Sequence, residues 1–161
     1  MNPYAGSLGH RNALEVIAET PAALKRLLAE IGPDRFSQAP QPGKWSPREI
    51  LVHLADTEIA FAFRLRQALA EDDYVIQPFD QEKWSTRSAP FQASEALGLF
   101  ETLRSWNRTL IENVPETDWS KPLSHPERGA MTFRTIVETM GGHDLNHIRQ
   151  LENIATPAAK A

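Results

Sequence analysis

Four long runs of helical hydrophobic period, the first and third closed by glycine or proline, constrain this chain more than any other feature. In residues 10–31 the set Leu14, Ile17, Ala18, Leu24, Leu27, Leu28 and Ile31 recurs at helical spacing, and Gly32-Pro33 ends it. Pro21 interrupts that run. It either kinks one helix or opens a second one, with Thr20 as the cap. Ser46-Pro47-Arg48-Glu49 is a capping box with proline at the first helical position, so the second helix is predicted over residues 46–71. Its core candidates are Ile50, Leu51, Leu54, Phe61, Leu65, Ala68 and Leu69, with Trp45 stapling back onto Ile50 or Leu51. The third helix, residues 93–114, offers Ala96, Leu97, Leu99, Phe100, Leu103, Trp106, Leu110 and Ile111, and Pro115 stops it. Thr132 caps the fourth, residues 132–154.

Four helices with no strand-like alternation between them imply an all-α four-helix bundle, expected as one domain over residues 1–161. The connection of residues 72–91, with a short helix at 80–84 capped by Asp80, is long enough for a crossover between helices two and three. Residues 1–9 are expected to be an irregular arm, residues 33–44 and 115–131 loops, and the Ala-rich last few residues to fray.

Composition removes several classes of function. The net charge of −4 lacks the basic footprint of bulk nucleic-acid binding. No apolar run reaches membrane-spanning length, and the N-terminus does not read as a signal peptide, so a cytoplasmic location is expected. There is no cysteine, which excludes disulfides, thiolate ligands and cysteine nucleophiles. Any metal must be held by histidine and carboxylate.

The fourth helix supplies two histidines. His143 and His147 are four residues apart and therefore share a face, beside Met140, Val137 and Leu151. Buried imidazoles need partners for their ring nitrogens, and a metal ion satisfies one on each. Gly141-Gly142 just before them costs helix stability, so it signals close approach of a helix or a ligand, or simply tight packing. His53 lies roughly 10 Å into the second helix, a height compatible with the pair if the two helices are antiparallel neighbours. Three histidines leave open positions on an ion, the pattern of a catalytic site.

Weaker candidates surround this set. Glu58 is either a partner that holds a ligand or a solvated charge, and Arg64, on roughly the face of His53, is either a surface or ion-pair group or a carboxylate binder. Asp80 and Trp84 either line a pocket mouth or act as a helix cap and a core anchor. Asp56, Glu58 and Asp144 are possible bases, and His125 reads as a loop residue.

Several stretches together resemble the DinB-like superfamily: residues 42–58, Arg64-Leu65-Arg66, His125-Pro126-Glu127-Arg128-Gly129, and His143-Asp144-Leu145-Asn146-His147-Ile148-Arg149-Gln150. The resemblance implies an up-down-down-up bundle with the crossover between helices two and three. It also implies one divalent ion (zinc, nickel, iron or manganese) on His53, His143 and His147, and a homodimer. It implies a transferase joining a low-molecular-weight thiol to a small electrophile, or a hydrolase using metal-bound water. A non-catalytic metal-binding or stress-interaction protein is the third expectation.

Overall fold

The computed structural model describes residues 1–156, so the expected fraying of the last residues lies outside the described part. Four long helices form the bundle: α2 (Ala13–Ile31), α3 (Pro47–Ala70), α5 (Ala93–Glu112) and α6 (Phe133–Ala155). Two short helices, α1 (Ala5–Leu8) and α4 (Gln81–Ser85), lie in the arm and in the crossover. The caps are local. Asn12 accepts from the Leu14 N–H, Ser46 and Glu49 complete the capping box, and Asp80 and Thr132 cap α4 and α6.

The long helices do not simply alternate. α2 packs on α6, and α3 packs on both α5 and α6. Arg35, just past α2, donates to the Ile154 carbonyl at the end of α6, so these two helices run parallel. Arg48, at the start of α3, donates to the carbonyls of Ser88 and Phe91 just ahead of α5, so that pair is parallel too. Lys121, ahead of α6, donates to Leu69 at the end of α3, which makes α3 and α6 antiparallel. The order is up, down, down, up, with residues 71–92 crossing between the two down helices.

Three expectations are corrected. The loop of residues 115–131 contains an antiparallel hairpin, β1 (Pro122–His125) and β2 (Gly129–Thr132), with Leu123 opposite Met131 and His125 opposite Gly129. Its strands are too short for alternation to register, and Gly129 supplies the positive φ that closes the turn. The crossover is tied to it, since Ile76 donates to Ser124 and Ser124 to Tyr74. The N-terminal arm is not wholly irregular, because residues 5–8 make one helical turn. Finally, Leu99 and Trp106 of α5 are exposed. The buried stripe of α5 is Ala93, Ala96, Phe100, Arg104, Asn107 and Ile111. Two polar residues occupy core positions, so counting apolar residues rotated the helix.

Those polar residues belong to a layer that divides the core. One apolar cluster holds Leu24, Leu27, Ile31, Ile50, Leu51, Leu54, Phe100 and Leu151; the other holds Ile17, Phe61, Leu65, Ile111, Phe133 and Met140. Between them every bundle helix presents buried polar groups: Thr20, Glu58, Arg104 with Asn107, and His143 with Asp144. Arg104 donates to both oxygens of Glu58 (3.1 and 2.8 Å) and to both of Asp144 (2.5 and 3.1 Å). Its fifth bond goes to the Ile17 carbonyl at 3.1 Å. That carbonyl would ordinarily accept from residue 21, which is proline and has no N–H. Arg104 thus fills the gap that Pro21 leaves, and α2 runs through the proline as one helix.

Candidate metal centre

Antiparallel packing of α3 on α6 brings His53 opposite His143 and His147. One nitrogen from each ring lies within 4.8 Å of the other two. The Nε2 atoms of His53 and His143 are 3.0 Å apart. Nδ1 of His147 is 3.0 Å from Oε1 of Gln150; an amide oxygen only accepts, so Nδ1 carries the proton and Nε2 offers a lone pair. All three rings are buried. Burial, with the neighbouring His147, pushes His53 down to about 3. Burial also holds His143 well below, and His147 below, the ordinary histidine value. The rings are therefore neutral at pH 7, the form that binds metals.

This donor set fits a divalent ion. Zinc–nitrogen bonds of about 2.0–2.1 Å in tetrahedral geometry put ligand nitrogens roughly 3.3 Å apart. The three nitrogens approach that spacing before any ion draws them together.

Aromatic rings frame the histidines. Trp45, just before α3, lies 4.7 Å from the His53 ring and stacks 6.1 Å from His147. Tyr4 meets His143 edge-on at 5.2 Å. The glycine pair makes room for Tyr4 and the start of α2. A Cβ on Gly142 would sit 2.5 Å from the Tyr4 carbonyl, and one on Gly141 would sit 3.3 Å from Ala13. The glycines thus serve close packing of the chain's own arm.

Two cavities flank the centre and share Tyr4 and Gln81 as walls. The larger, about 590 Å³, is lined by His147, Trp45, Gln150 and Asn146. The smaller, about 230 Å³, is lined by His53, His143, Arg64, His125 and Arg128.

The weaker candidates divide. Arg64 lines the smaller cavity. Glu58 lies beneath the centre and is held by Arg104 and by Asn107 at 2.8 Å. Asp144 is held by the same arginine, so neither carboxylate is free to act as a base. Asp80 caps α4, while Trp84 is 40% exposed and packs on Phe79; neither lines the two cavities, and Trp84 is no core anchor. His125 is not a plain loop residue, for it ends β1 and is buried. Sequence reasoning passed over Arg104, Tyr4 and Arg128. The one available signal was Arg104 and Asn107 falling on the stripe of Phe100 and Ile111.

Known proteins carry the same frame. A 141-residue stretch is 25% identical to a protein of Oceanobacillus iheyensis named "Putative metal-dependent hydrolase", covering 86% of this chain and 81% of that one. YfiT of Bacillus subtilis, whose name carries the same words, is 23% identical over 88% of this chain and 82% of its own. The solved structure of YfiT, a four-helix bundle of unusual topology, superposes with a TM-score of 0.80 at 23% identity, covering 88% of this chain and 83% of that one. The mycothiol-dependent maleylpyruvate isomerase superposes at 0.67 with 15% identity, over 86% of this chain and 59% of the isomerase. At these identities the structural likeness speaks to the fold. The DinB superfamily model matches residues 17–151, most of the chain and all three histidines, and the chain belongs to that superfamily.

Proposed function

We propose that this protein holds one divalent ion (zinc, nickel, iron or manganese) on His53, His143 and His147 and transfers a low-molecular-weight thiol to a small electrophile. The observation that carries this reading is the pair of cavities. His147 faces the larger one, and His53 with His143 faces the smaller. A two-substrate reaction needs two subsites that meet at one centre, and a closed structural site needs neither. When bound, the ion supplies Lewis acidity, which lowers the pKa of a coordinated thiol or water. The chain itself has no cysteine, so sulfur must arrive with a substrate. Gln150 fixes the tautomer of His147, and Trp45 and Tyr4 shield the rings from water. Arg104 positions the centre by anchoring Asp144 beside His143 and Glu58 on the facing helix.

The names of the relatives favour a second reading, hydrolysis, which needs no thiol. One assay separates the two. The metal-loaded protein is given a panel of thiols and electrophiles, and activated esters without thiol. Turnover that requires metal, thiol and electrophile together is the expected result. Ester turnover without thiol selects the hydrolase, and no metal-dependent rate in either arm refutes both.

A homodimer would use the outer face of α3 and α5, where Ile59, Phe63, Leu99 and Trp106 are exposed. Sedimentation of the parent and of Trp106→Glu tests it, and a parent that is monomeric at micromolar concentration removes it.

A further inference from the structure

We propose that the smaller cavity is a carboxylate-binding subsite, in which Arg64, Arg128 and His125 hold an anionic substrate group against the His53–His143 side of the centre. This deepens the reading above and rests on it for what the anchored substrate then meets. Its volume of about 230 Å³ is below the usual 300–1,000 Å³ of drug-sized pockets, so it takes a small molecule or one end of a larger one.

Two cations line this cavity without an ion-pair partner. Arg64 donates one bond, to the Gln77 carbonyl at 3.0 Å, and lies over the Phe79 ring at 5.4 Å. A guanidinium has five N–H donors, so most of its capacity is unused. Among the described residues no carboxylate lies within ion-pair distance of Arg64 or Arg128. Burial acts against protonation of Arg64, Tyr74 favours it and the charge of Arg128 opposes it, and an anion between the two arginines offsets that repulsion. Glu127 also lines the cavity, but it is exposed and pairs with neither arginine, and its backbone N–H donates to His125.

The third group is neutral and oriented. His125 is 4% exposed, and its Nδ1 accepts from the Glu127 N–H at 3.1 Å. The proton therefore sits on Nε2. That N–H has no hydrogen-bond partner among the described residues, and the ring lines the cavity. A guanidinium fork beside an imidazole N–H suits the two oxygens of a carboxylate.

The test uses the full chain, as purified and after chelation, with maleate as the probe and its neutral dimethyl ester as the control. Binding is read by ligand-observed NMR. Maleate is expected to bind both samples and the diester neither. Arg128→Gln and Arg64→Gln should each weaken maleate by about tenfold, the worth of one charge-assisted hydrogen bond. Arg128 is exposed, so its variant keeps the test independent of folding. Mercaptoacetate distinguishes the source of the carboxylate. If the variants weaken maleate alone, the group belongs to the electrophile. If they weaken mercaptoacetate as well, a thiol's own carboxylate also uses the subsite, and both results support it. Equal binding of maleate and the diester, no binding of maleate, or affinities unchanged within about twofold in both variants overturns the proposal. Metal content is measured on the same samples. Maleate binding by a protein that takes up none of the four candidate metals on incubation refutes the catalytic reading alone, and a protein that takes up metal but does not bind maleate refutes the subsite alone.

Discussion

Replacing Arg104 with methionine should strongly destabilise the protein. The side chain is 1% exposed and joins all four bundle helices: it sits on α5 and binds Glu58 of α3, Asp144 of α6 and the Ile17 carbonyl of α2. Methionine keeps much of the stem but strands two buried carboxylates and one backbone carbonyl. Breaking a buried pair by removing one partner costs about 3–5 kcal/mol. Arg104 serves two carboxylates, which places the loss near the top, about 5 kcal/mol, against a total stability of about 5–15 kcal/mol. With a urea slope of about 2 kcal/mol/M, the unfolding midpoint should fall by about 2.5 M. The assay is urea unfolding followed by circular dichroism on chelated protein, which keeps metal binding out of the comparison. Adding Glu58→Gln and Asp144→Asn to the same chain removes the stranded charges and should recover at least half of the loss. A midpoint shift under about 0.5 M for Arg104→Met, or a triple variant weaker than the single one, would refute the polar layer as a structural element.

Other perturbations follow from the same contacts. Gly142→Ala should expel Tyr4 from His143 and cost about 1–3 kcal/mol, while Gly141→Ala should be nearly neutral; limited proteolysis of the arm and urea midpoints separate them. Pro21→Ala should add only about 1 kcal/mol rather than the roughly 3 kcal/mol of an ordinary helical proline, because Arg104 already satisfies Ile17; a gain near 3 kcal/mol in urea would contradict that. Metal-free protein should lose stability in acid. Above the ordinary value of 6.5 both folded and unfolded chains hold neutral His53; as pH falls from 6.5 toward about 3, only the unfolded chain takes up the proton. Stability then drops by about 1.4 kcal/mol per pH unit for each such histidine, and equal urea midpoints at pH 7.5 and 5.5 would contradict it.

Much of the frame was legible because it rests on local signals. Ser46-Pro47-Arg48-Glu49 and Thr132 set helix starts that the structure places within a residue or two, and the 72–91 stretch was long enough to demand a crossover. The grouping of His53 with His143 and His147 needed only helical spacing and an antiparallel pair. What escaped depends on contacts remote in sequence. Nothing local to Arg104 says that a proline 83 positions earlier has freed a carbonyl for it. Nothing near Tyr4 says that Gly142 will receive it. The hairpin was hidden by its brevity, and with it the placing of His125 and Arg128 beside the centre.

The central claim is that His53, His143 and His147 hold one metal ion. Elemental analysis of untagged protein, purified without chelator, tests it most directly. The account predicts close to one divalent ion per chain, lost in both His53→Ala and His147→Ala while circular dichroism remains helical. An ion retained at full stoichiometry in both variants, or none in the parent after incubation with each of the four candidate metals, would contradict it.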